Sequence, residues 1–194
     1  MRDARVDPGV LLGYASGRAD CGRLELGQGA RIRSGSVLYQ GSRIGARFEC
    51  GHHVIIREEC QVGDDVSVWS NTVVDYGCRI GDRVKIHSNC YVAQYTEIGA
   101  GAFLAPGVTT ANDLYPGQAA SAAVMTGPWI GPGAQIGVNA TILPFVRIGA
   151  GCLIGAGAVV ARDIPDGCVA FGSPAVVRGR VRDLTPIQAR ATSR

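Results

Sequence analysis

The stretch FECGHHVIIREEC, residues 48–60, gathers two cysteines (Cys50, Cys60), two adjacent histidines (His52, His53) and two glutamates (Glu58, Glu59). Zinc takes these ligand types, and clustered Cys and His are the usual sequence sign of such a site. The third histidine, His87, stands in KIHSN (85–89), two residues before Asn89. An imidazole ionises near neutrality, so His87 is suited to take a proton from a reacting group. Whether these groups can meet depends on the elements that carry them.

Those elements show up as a period of six. Counting from Leu26, the positions are Leu26, Ile32, Leu38, Ile44, Cys50, Ile56, Val62, Val68, Val74, Ile80, Ile86, Val92, Ile98, Leu104 and Thr110; thirteen of the fifteen are Leu, Ile or Val. The count breaks over 111–129 and resumes with Ile130, Ile136, Ile142, Ile148, Ile154 and Val160. Four residues after each rung comes a small or β-branched residue, as at Ala30, Ser36, Val54, Thr72, Val84, Ala102 and Ala140. Gly often follows the rung, which fits a chain with 28 glycines. A period of six suits neither an amphipathic helix nor a hairpin array. It suits a solenoid in which each hexapeptide is a short strand plus a turn and three hexapeptides close one triangular coil. The fold predicted is all-β: a parallel β-helix of about seven coils over 26–165, with a loop insertion at 111–129. Residues 1–25 form an N-terminal cap, and 166–194 a short C-terminal extension whose end is expected to be disordered.

The period also sorts the apparent ligands. Cys50 is a rung, and Cys60, Cys78, Cys90 and Cys152 fall in the second inward set, where free Cys acts as a small buried hydrophobe. Cys21 and Cys168 lie outside the ladder and have no place in it. With eighteen residues per coil, turn positions form columns. One edge carries Ser34-Gly35, His52-His53, Ser70-Asn71, Ser88-Asn89 and Pro106-Gly107, preceded by Arg33, Gly51, Trp69, His87 and Ala105. A second edge carries Gln40-Gly41, Glu58-Glu59, Tyr76-Gly77 and Gln94-Tyr95. The six groups of 48–60 are thereby split between core and two edges, and no metal is expected. Ser and Asn are also ordinary turn residues.

The net charge of +3 and the absence of like-charge runs point away from nucleic acid and membrane surfaces. No apolar stretch is long enough to span a bilayer. Seven cysteines without an export signal read as reduced thiols in the cytoplasm.

The ladder resembles the left-handed parallel β-helix of the hexapeptide-repeat acyltransferases, and the hand comes from that resemblance alone. The ending VVARDIPDGCVAFGSPAVVRG (159–179) is similar to the close of many of these enzymes. GHHVIIRE (51–58), KIHSN (85–89) and ANDLYP (111–116) resemble acetyltransferases acting on nucleotide-linked amino sugars. The resemblance implies a homotrimer with acetyl-CoA as cosubstrate and a nucleotide-linked amine as acceptor. His87 and Asn89 would be catalytic, and His52, His53, Asn71, Asn112, Asp113 and Tyr115 would bind substrate. CoA would lie along Asn139, Gly155 and Ala156, with Arg162 and Arg178 for its phosphates. The loop departs from that group: Ala111 precedes Asn112-Asp113, and Gly117 follows Pro116 where Arg is frequent. In a competing chemistry the neutral amine passes its proton to the departing thiolate without a base.

Three other functions fit parts of the pattern. One is an O-acetyltransferase acting on a hydroxyl. Another is a zinc enzyme like the β-helical carbonic anhydrases, although the position where that family has a further histidine is Val92 here. The last is a non-catalytic β-helix module.

Overall fold

The structure, a computed structural model, describes residues 3–18 and 22–184; Cys21 and residues 185–194, the expected disordered end, lie outside the described residues. Each hexapeptide forms a two-residue strand, such as Lys85–Ile86, Tyr91–Val92 and Glu97–Ile98. The first side chain of each pair points out and the second is buried, as the two-residue period of a strand requires. Successive strands go to three different sheets of ten, eight and seven strands. We call these the first face (through Lys85–Ile86), the second (through Tyr91–Val92) and the third (through Glu97–Ile98). Within a face, strands eighteen residues apart pair in parallel: Ser67 with Lys85, Val73 with Tyr91, Arg79 with Glu97. The architecture is the all-β left-handed solenoid; the one α-helical turn among the described residues, Ala119–Ala122, lies in the loop insertion.

The solenoid has about eight coils, where the count in sixes gave seven. The added coil is at the N-terminus. Arg5–Val6 pairs with Arg31–Ile32, and Leu11–Tyr14 with Val37–Tyr39. Val6 and Ile32 lie 26 positions apart, against eighteen elsewhere, so the period hides this coil. The last coil is short in the other direction. Ala170 pairs with Ile154, sixteen positions back, and this carries Cys168 into the core at 1% exposure. The chain then returns antiparallel through Ala175–Arg180.

Every rung from Ile32 to Val160 is buried, and so is the second inward set. Corners leave backbone amides without a strand partner, and side chains of that second set satisfy them. The Ser36 hydroxyl donates to the Gly51 carbonyl (3.0 Å) and accepts from the Val54 amide (3.1 Å). Thr72 does the same for the His87 carbonyl (2.7 Å) and the Cys90 amide (3.1 Å). The thiols of Cys60, Cys78 and Cys90 reach carbonyls fifteen residues ahead, at 3.1, 3.2 and 3.3 Å. These cysteines are therefore apolar fillers with a weak donor. All six described cysteines are free. Burial pushes the Cys50, Cys90 and Cys152 thiols up, and the Cys60 thiol together with burial does so for Cys78. None of these four is poised as a thiolate.

On the second edge Glu58, at an exterior turn position by the count, is fully buried. Arg57 grips it with two bonds of 2.8 and 2.9 Å, and Arg57 itself lies against the Tyr39 ring. Asp75 beside it accepts from Tyr91 (2.9 Å) and Gln94 (2.6 Å). Burial and the bond to Asp75 push the Tyr91 phenol up to about 12. Burial opposes the Glu58 charge, but the Arg57 hydrogen bonds outweigh it and hold the carboxyl below its ordinary range. The pair thus stabilises the fold fully above the ordinary carboxyl pKa, and the contribution fades as pH falls through the lowered folded value. Arg57→Met takes both hydrogen bonds from a buried carboxylate and leaves it the looser contact with Arg18 at 3.9 Å. Arg57 is about one-third exposed, so the expected loss is about 2–3 kcal/mol, below the figure for fully buried pairs. Urea denaturation checks it: the deficit at pH 7 should shrink near pH 4 and in the Arg57→Met/Glu58→Gln double variant.

Candidate active site

The histidines sit where the first face turns into the second. His52 and His53 occupy the turn itself. His87 is the outward residue that follows the rung Ile86, so it stands on the first face at its exit, half-buried. The coil spacing of about 4.8 Å sets what stacks on it. Trp69, one coil earlier, lies flat against the His87 ring with centroids 4.4 Å apart and planes 9° apart. Phe103, from the next coil, closes the other side at 5.3 Å with a 59° tilt. The His87 ring nitrogens have no hydrogen-bond partner among the described residues. The imidazole is thus fixed by its faces while its edge is left for a ligand. Its backbone is pinned too: its carbonyl accepts from Thr72 and its amide donates to Leu104 (2.8 Å).

The turn column behind it has a plain structural task. His53, Asn71, Asn89 and Asn139 all have positive φ, between 55° and 61°. Asn is enriched in that region because its short polar side chain tolerates it. Each backbone amide donates to the carbonyl of the turn one coil earlier: Asn71 to His52 (2.9 Å), Asn89 to Ser70 (3.1 Å), Asn139 to Pro106 (3.0 Å). The Asn89 side-chain amide is exposed and has no partner among the described residues. Ser34 Oγ lies 2.9 Å from His52 Nδ1, and the His52 amide donates to Ser70 Oγ (3.0 Å).

The structure brings His52, His53, Asn71, His87, Asn89 and Asn139 onto one edge. It places Asn112, Asp113 and Tyr115 elsewhere, in the loop that leaves the second face for the third. There Asn112 bonds Met125 Sδ (3.3 Å), and Asp113 accepts from the Tyr115 amide (2.9 Å) and the Ser121 hydroxyl. Asp113 therefore ties the loop together, while Leu114, Tyr115 and Val124 are 52–62% exposed. Gly155 and Ala156 lie at the C-terminal end of the histidine edge. A side chain at Gly155 would meet Phe171, over whose ring Arg178 sits at 5.7 Å. Arg162 follows Val159–Val160 and stands across the second face from them. Counting could not reveal the stack around His87: Trp69 and His87 share a column, but Phe103 comes from the alternate outward row.

A groove of about 470 Å³ is on the third face and holds no histidine; Arg43, Gln61, Arg79, Glu97 and Trp129 are among its walls. A second, about 390 Å³, lies on the first face next to Trp69 and His52. Its histidine wall and its place beside Trp69, which stacks on His87, favour this one as the site. Among the described residues no three of His, Cys, Asp or Glu group as metal ligands, and no helix is long and apolar enough to cross a membrane.

Comparison with known proteins agrees with this architecture. The family description "Bacterial transferase hexapeptide (six repeats)" matches residues 77–112 and 127–162, on both sides of the loop. The matched residues, a little over a third of the chain, are hexapeptide repeats within the β-helix described above. No curated protein matches it in sequence. Among solved structures, Arabidopsis UDP-N-acetylglucosamine acyltransferase superimposes with a TM-score of 0.53 at 18% identity, covering 92% of this chain and 73% of its own. This match shows the shared fold. A perosamine N-acetyltransferase variant from Caulobacter crescentus, solved with CoA and GDP-perosamine, aligns more loosely: TM-score 0.42, 20% identity, 92% of this chain and 57% of that one. The acetyltransferase domain of PglB from Neisseria gonorrhoeae FA1090, solved with acetyl coenzyme A, gives 0.46 at 20% identity, covering 91% and 58%. The chain thus spans little more than half the length of these last two.

Thr72→Val tests how the repeat positions His87. It leaves the His87 carbonyl and the Cys90 amide unsatisfied, at an expected cost of about 1–3 kcal/mol. Hydrogen exchange should show the Cys90 amide losing protection, with far coils such as Ile142 unchanged.

Proposed function

We propose that this hexapeptide-repeat protein is a CoA-dependent acyltransferase that moves acetyl from acetyl-CoA to the amino group of a nucleotide-linked sugar. The observation that carries the reading is the His87 imidazole, clamped between Trp69 and Phe103 with its nitrogens free of protein partners. The "transferase" repeats on both sides of the loop support the class of chemistry. The motifs around His52, His87 and Asn112 support an amino-sugar acceptor.

In this reaction the acceptor amine attacks the thioester carbonyl, forming a C–N bond. His87 takes the proton the amine sheds. Amide donors beside it, with Asn89 the nearest free side chain, stabilise the tetrahedral oxyanion. Collapse breaks the C–S bond, and the CoA thiolate leaves and is protonated. CoA lies toward the C-terminal coils, where the Gly155 surface, Ala156 and Asn139 provide backbone contacts. Arg178 faces the same end and suits a phosphate. Asn112, Asp113, Tyr115 and Arg162 lie on the wrong edge to serve this site within one chain. They would serve the site of a neighbouring copy, and the exposed apolar tip of the loop fits burial against it. A homotrimer, with cyclic symmetry giving each copy the same two edges, completes three sites. Six free buried thiols fit a reducing cytoplasm.

His87→Ala is expected to lower kcat/KM by roughly 10²–10⁴. Loss of less than about three-fold would favour direct proton transfer from amine to thiolate over a protein base. Mass photometry should show trimers; a fully active monomer contradicts the shared site.

A further inference from the structure

The outward row at the exit of the first face reads Arg33, Gly51, Trp69, His87 and Ala105, one residue per coil. Because Trp69 and His87 stack within 9° of parallel, the stacking direction follows the coil axis. His87 covers the Trp69 face toward the C-terminal coils. The opposite indole face looks toward the coil of Gly51, where the row has no side chain. The groove of about 390 Å³ lies there, lined by Arg33, Gly51 and Trp69 with Glu49, His52 and Ser67 among its other walls. Arg33 is half-exposed and only loosely paired with Asp7, at 3.8 Å.

Arg33 and Trp69 are two coils apart, about 9.6 Å along the axis. A flat ring between two flat groups needs about 3.5–4 Å on each side, so the gap admits one planar layer, with the long Arg33 side chain leaning in to close the remainder. Indole and guanidinium are both groups that stack on heterocycles. The edge of the slot offers the Glu49 carboxylate, the Ser67 hydroxyl and the His52 imidazole to ring N–H and C=O groups. We infer that the Gly51 slot binds the base of a nucleotide, sandwiched between Trp69 and Arg33. The inference rests on reading the His87 edge as the acceptor site, and it names the part of the acceptor that this end recognises. The base would then lie about two coils, roughly 10 Å, from His87. Ribose and diphosphate can bridge that span, so one row would hold both ends of the acceptor. Trp69 would serve both, with one face on the base and the other on the His87 imidazole.

Gly51 has a second reason to be glycine: a Cβ there would come 2.5 Å from Ser70 Oγ and 2.6 Å from its backbone nitrogen. Filling the slot by mutation therefore disturbs the coil, and Trp69 is the residue to change. The chain has two tryptophans, so Trp129→Phe leaves Trp69 as the sole indole reporter. Titrating this protein with UDP, GDP and dTDP, without acetyl-CoA, should give saturable quenching by at least one, and ribose 5-phosphate should give none. By calorimetry, Trp69→Leu should weaken that nucleotide roughly ten-fold or more, while Trp69→Tyr stays within about three-fold. Unchanged thermal melting of both variants shows that the coil is intact. No quenching by any of the three at millimolar concentration overturns the slot. So does Trp69→Leu binding as tightly as the parent, or ribose 5-phosphate competing equally. Acetyl-CoA binding, measured separately, distinguishes the two readings. Nucleotide binding that depends on Trp69 but comes without acetyl-CoA binding keeps the slot and removes the transferase. Acetyl-CoA binding without binding of any of the three nucleotides does the reverse.

Discussion

The parallel hydrogen-bond ladder between coils, with its eighteen-residue register, is the constraint on which everything else depends. Most strands are only two residues long, too short to hold themselves, so their order comes from the strands above and below. The ladder therefore fixes every position against its counterpart one coil away. Rungs meet rungs in the core, turns meet turns through amide-to-carbonyl bonds, and outward side chains meet their own kind in columns. The loop insertion obeys the same constraint. Trp129–Ile130 re-enters beside Glu97–Ile98 in correct register although the chain has wandered through 111–128.

A site on such a scaffold is built by stacking. Coil spacing is close to the separation of stacked rings, so planar side chains at one position in successive coils fall into contact with little adjustment. Trp69 and His87 do this, and Phe103 adds a wall from the neighbouring row. The imidazole gains a fixed orientation without a hydrogen bond that would occupy its nitrogens. The same arithmetic gives glycine in such a row a distinct meaning. Where its neighbours are flat, its absence of a side chain leaves a layer-shaped gap.

Much of this was legible in the sequence because the period is visible in single residues. The rungs from Ile32 to Val160, the burial of Cys50, Cys60, Cys78, Cys90 and Cys152, and the common edge of His52, His87 and Asn89 all follow from counting. The ends of the solenoid were hidden because their coils break the count. Eight additional residues between Leu12 and Leu38 conceal the first coil, and a two-residue deficit before Ala170 conceals the last, so Cys168 had no assigned place. Glu58 was misjudged for another reason. Its position is an exterior turn, but Arg57, one residue away, folds over it, and no period reports a side chain's direction. Asn71, Asn89 and Asn139 show the converse. Their type suggests recognition, yet their positive φ already accounts for them as turn residues.

The central claim is that this column is the acceptor end of an acetyl-transfer site. Its most direct test is to incubate the purified full-length protein with acetyl-CoA and a panel of nucleotide-linked amino sugars while following free thiol. The account predicts thiol release that requires both substrates and a product acetylated on the sugar nitrogen. No release with any amine of the panel, together with no binding of acetyl-CoA, would contradict it.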